Sequence, residues 1–69
     1  MWKAGAEENN ELRKRLWQYI EKNPTTIREL ANDIGMVYAT LRKFLQDEDK
    51  NLDMKRFLIV RNFLDKNLD

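Results

Sequence analysis

The chain has 69 residues, 13 Lys and Arg against 12 Asp and Glu for a formal net charge of +1, and neither Cys nor His. One small domain fits that length, near the lower size at which a core suffices unaided; disulfides are excluded, and a zinc site would have to rest on carboxylates alone. The near-balanced charge gives little support to a nucleic-acid binder, whose affinity draws on phosphate contacts, so any positive surface must come from distribution and not from the total.

Abundant Leu, Glu, Lys, Arg and Asn, with one Pro and two Gly, point to an all-α fold. A chain without Cys suits a reducing, intracellular compartment, and a cytoplasmic location is expected. The longest purely apolar run is residues 57–60, so neither a membrane span nor a signal peptide is expected, and no membrane partner.

Residues 1–7 lack periodicity and carry Gly5, which reads as an N-terminal arm ahead of a domain over 8–69. Glu7, Glu8 and Glu11 suit the positive end of a first helix. Leu12, Leu16, Tyr19 and Ile20 give it an apolar stripe, with Trp17 on the flank and Lys22 in the last turn. Arg13, Lys14 and Arg15 spread around that helix and read as a solvated face in preference to a phosphate patch. Asn23-Pro24 stops the helix, because proline drives the preceding residue out of α geometry.

Thr26 followed by Glu29 is a capping-box pattern that opens a second helix. Its free backbone N–H groups, with Arg28 beside them, form either an anion site or an ordinary cap. Ile27, Leu30, Ala31 and Ile34 then fall on one helical face, and so do Val37, Leu41, Phe44 and Leu45 in the next segment. Gly35 between them can take the positive φ of a sharp turn, and Ala31 is small enough for a close helix crossing. Two short amphipathic helices joined in this way make a helix-turn-helix pattern.

With Leu41 inward, the opposite face of the third helix carries Ala39, Arg42, Lys43 and Gln46, with Tyr38 flanking it. That face is either solvated or a reading face, in which Arg pairs with guanine, Tyr and the Ala methyl touch thymine methyls or sugar, and Lys and Gln reach phosphate or base edges. Residues 47–53 form a polar, acidic loop expected to point away from a duplex. Asp47, Glu48 and Asp49 lack the spacing and central Gly of a calcium loop. Asp53 caps a last helix over 54–66, with Met54, Phe57, Leu58 and Leu64 inward. Ile59 and Phe63 are left on the other side, where they suggest a weak homodimer contact unless Trp2 or Trp17 covers them.

Leu30-Ala31, Ile34-Gly35-Met36, Leu41 and Phe44 together resemble the helix-turn-helix of the phage lambda repressor and Cro family, and the resemblance runs from about residue 8 to 66. It implies a compact four-helix lambda-repressor-like domain that binds duplex DNA as a small transcriptional regulator, such as a phage or plasmid repressor. Its third helix, residues 37–46, would enter the major groove. By position it carries over a backbone contact for Thr26 and Arg28, base contacts for Tyr38 and Ala39, groove positions for Arg42 and Lys43, and a place near the backbone for Gln46. Two positions depart from the family pattern. Val37 stands where Ser or Thr commonly caps the helix, and Tyr38 replaces a small amide, so base preference does not transfer.

The chain has no His, Cys or Ser and no Gly-rich loop, which removes most nucleophile and phosphate-cradle arrangements. A non-enzyme with no cofactor and no small-molecule substrate is expected. Two other classes stay open: a protein-interaction module on the same core, such as an antirepressor or a regulator's partner, and an oligomerisation domain.

Overall fold

The computed structural model describes residues 5–67, and within them all regular structure is helical. In chain order the helices are α1 (Ala6–Lys22), α2 (Ile27–Ile34), α3 (Tyr38–Gln46) and α4 (Met54–Asn67). None of them is long and apolar enough to cross a membrane.

Helix α1 begins at Ala6, inside the stretch read as an arm, because the Glu8 carboxylate accepts the Gly5 N–H at 2.7 Å and so fixes the first turn. It ends at Asn23, extended at φ −123° ahead of Pro24, with its N–H still donating to the Tyr19 carbonyl at 3.0 Å. Thr26 opens α2 as expected: its hydroxyl oxygen accepts the Glu29 N–H at 3.1 Å. Gly35 closes α2 at φ 87° and ψ 36°, and the N–H groups of Gly35 and Met36 both donate to the Ala31 carbonyl. That left-handed residue turns the chain between α2 and α3 within three residues. Residues 1–4, with Trp2 among them, lie outside the described part.

Leu12 and Leu16 of α1, Leu30, Ala31 and Ile34 of α2, Leu41, Phe44 and Leu45 of α3, and Phe57, Val60 and Leu64 of α4 make one core, closed by Leu52 from the loop. Helix α1 packs on α3 and α4, and α2 packs on α3 and α4. Helix α4 is therefore wedged between two neighbours, and this corrects the outward placement of Ile59 and Phe63. Both are half-buried against the core, and Phe63 meets the Tyr19 ring edge-on at 5.4 Å between centroids. Val60, fully buried, holds the centre of the inward face, while Met54 and Leu58 are only half-buried. The arc that packs is wider than one stripe, and periodicity alone does not say which residues of an apolar run lie at its middle.

Two further corrections concern single residues. Val37, grouped with the inward face of α3, is 63% exposed. It precedes the first helical turn, so its extended backbone takes it off the stripe that Leu41, Phe44 and Leu45 define. Arg13, read as solvated, is buried, and its guanidinium donates to the carbonyls of Phe44 and Lys50 and to the Asn10 side-chain oxygen. The same guanidinium lies over the Phe44 ring, 4.3 Å from its centroid. One turn earlier the fully buried Asn9 accepts the Leu52 N–H at 2.9 Å and donates to the Gly5 carbonyl at 2.7 Å. Asn9 and Arg13, four apart on α1, thus tie down both ends of the loop between α3 and α4.

Candidate nucleic-acid interface

With Leu41, Phe44 and Leu45 turned into the core, helical geometry leaves Ala39, Arg42, Lys43 and Gln46 in an outward row, and all four are exposed. The row spans the two and a half turns of α3, and the helix contains no acid along its length. Among the described residues neither Arg42 nor Lys43 enters an ion pair; those present join Arg15 to Asp65 at 2.7 Å and Arg56 to Asp53 at 3.0 Å.

The row is extended at its N-terminal end by α2. Arg28 is exposed, and its guanidinium lies 4.3 Å from the centroid of the Tyr38 ring. Tyr38 itself is half-buried and packed against the core, so its ring forms a shelf that presents Arg28. The turn at Gly35 makes this stacking geometry available, because it brings the start of α2 alongside the start of α3. Thr26 is exposed one residue before α2, with its oxygen engaged by the Glu29 N–H. Among the candidates the structure brings Arg28 onto Tyr38; Ala39, Arg42, Lys43 and Gln46 are exposed along α3, and Thr26 is exposed ahead of α2.

The opposite end of α3 is fixed from α1. Arg13 holds the Phe44 carbonyl, and the Trp17 indole N–H donates to the Leu45 carbonyl at 3.3 Å. Carbonyls of the last turn of a helix lack intrahelical donors, so these two contacts complete the terminus and orient α3 on α1. Trp17 remains 40% exposed. The acidic loop folds on itself beyond this point, with the Asp47 carboxylate accepting the Asp49 N–H at 2.9 Å and the Asp47 carbonyl accepting the Lys50 N–H at 3.1 Å. Among the described residues no group of three or more acidic side chains is placed to hold a metal ion.

Val37 was not among the sequence-based contact residues. Val37 is the N-cap of α3, makes no side-chain cap hydrogen bond, and projects from the tip of the helix. The available signal was chemical: a β-branched apolar residue occupies a position where Ser, Thr, Asp or Asn is strongly preferred. Compared with family models, curated proteins and solved structures, the chain gave no significant match.

Proposed function

We propose that the protein is a small transcriptional regulator that binds duplex DNA sequence-specifically, with α2 and α3 acting as a lambda-repressor-like helix-turn-helix and α3 lying in the major groove. One observation carries this reading: Ala39, Arg42, Lys43 and Gln46 stand in an exposed, acid-free row, continued by Arg28 on its Tyr38 shelf. A row of this kind matches what a groove presents, with an Arg fork for guanine, a methyl for thymine, and flexible cations for the flanking phosphates. The net charge of +1 does not oppose it, because much of the acid sits at the start of α1 and in the loop after α3. In this reading the protein works by binding and not by catalysis, in the cytoplasm of a bacterial or phage-infected cell.

The test is selection of bound sequences from random duplex DNA. Enrichment of one motif, bound more weakly as salt rises, supports the reading. Recovery of unenriched sequence with no salt-sensitive retention overturns it. A protein-interaction role on the same core is the second reading, and the exposed Trp17 at the far end of α3 favours it.

A further inference from the structure

The local chemistry of α3 contains a contradiction at its first position. An N-cap side chain normally accepts a hydrogen bond from the first turn, and Val37 cannot. It is also one of two large apolar residues in the described chain that stand exposed, at 63%. A residue that neither caps its helix nor packs in the core contributes little to the fold. Places where a sequence breaks a local rule without a structural return are where function is expected.

The surroundings of Val37 give its side chain a setting. It lines a groove of about 230 Å³ with Gly35, Met36, Ile59, Lys55 and Arg56, so an apolar tip is bordered by two cations from the start of α4. Arg56 is committed to Asp53, whereas Lys55 makes no ion pair among the described residues. Two residues further on, Ala39 exposes its methyl group on the outward row. A helix that reads the major groove does so with its N-terminal residues, and Val37 and Ala39 are the apolar groups there. The apolar feature of the groove floor is the C5 methyl of thymine, and cations beside it meet the phosphates on either side.

Resting on the DNA reading above, we infer that Val37 is a specificity-determining residue that takes a thymine methyl group. The helix cap is given up for this: Ser at position 37 would secure the first turn but would offer the base a hydroxyl where an apolar surface is wanted.

The experiment uses the duplex recovered by selection, with each thymine replaced in turn by deoxyuridine, which deletes the methyl group and nothing else. The parent protein should bind about fourfold more weakly at one such position, the worth of one buried methyl-sized group. Val37→Ser should bind the thymine and deoxyuridine duplexes equally while melting at a higher temperature than the parent, because the cap is restored. Lys43→Ala serves as the control and should weaken both duplexes while keeping the fourfold ratio. If the parent does not distinguish the two duplexes at any position, or if the ratio survives in Val37→Ser, another group or none reads the methyl and the inference is overturned. If selection enriches no duplex at all, the DNA reading falls and the inference with it, a result distinct from the other two.

Discussion

Gly35 shows how much a single backbone angle decides. At φ 87° it sits where L side chains are rarely found, yet a Cβ built on it meets nothing within 4 Å. The cost of substitution is therefore conformational and not steric. Gly35→Val should destabilise the fold by about 1–3 kcal/mol in denaturant titration, and Gly35→Asn by clearly less, since Asn tolerates the left-handed region. Equal losses for the two would mean that crowding, not φ, sets the requirement. The turn was legible because glycine there closes one apolar stripe just before another begins. Arg13 was not legible in the same way. Its neighbours Lys14 and Arg15 made it look like part of a charged surface, whereas its place beside Leu12 and Leu16 on the buried stripe was the better guide. Only tertiary packing supplies what a buried guanidinium needs, in this case two carbonyls more than 30 positions along the chain, at Phe44 and Lys50.

All four expected helices form, and the differences lie in where they begin and in which of their residues are buried. Helix α4 is the clearest case: seven of its residues are apolar, and no single stripe accommodates them. The structure resolves this by placing α1 on one side and α2 on the other, which brings Phe63 to Tyr19 and leaves Ile59 beside the turn after α2. A sequence does not display how many neighbours a helix has, so its outer face was overestimated. The start of α4 carries a testable charge. A hydrogen bond from the Arg56 side chain, aided by its positive charge and by backbone N–H groups, holds the Asp53 carboxyl below the usual carboxylate range despite some desolvation. A carboxyl whose pKa is lower in the folded state stabilises the fold above its unfolded pKa. That contribution disappears as pH falls through the folded value. The melting temperature of the parent should therefore fall more steeply below about pH 4 than that of Asp53→Asn, and parallel acid profiles would dismiss the contact.

On the scale of the whole molecule, the question is whether an almost neutral protein can hold a polyanion. It can if its cations are gathered where the phosphates pass, and the outward row of α3 with Arg28 gathers three of them. Arg42→Ala should cost about 1–3 kcal/mol on the selected site and relax preference at one position, as measured by competition with single-base variants. An equal loss on every sequence would assign Arg42 to a phosphate. Lys43→Ala should flatten the dependence of log affinity on log salt by about one unit. A slope identical to the parent's would take Lys43 out of the contact. The candidate row was legible from periodicity, because fixing Leu41 inward fixes its opposite face. The stacking of Arg28 on Tyr38 was not, since it joins two helices whose crossing geometry no local pattern encodes.

The tie between Asn9 and Leu52 changes what the loop after α3 can do in time. Loop amides ordinarily exchange their hydrogens with solvent through small local openings. The Leu52 amide is buried and donates to a side chain 43 positions away, which in turn is anchored at the first turn of α1. Releasing that hydrogen requires the start of the chain to part from its second half, an event close to global unfolding. In hydrogen–deuterium exchange, Leu52 should persist as long as the slowest core amides, such as Leu41, while Asp49 and Asn51 exchange early. Asn9→Ala should bring Leu52 down to the rate of its neighbours. The Leu52 end of the connection between α3 and α4 then belongs to the last part of the molecule to open, while residues 49–51 ahead of it open locally.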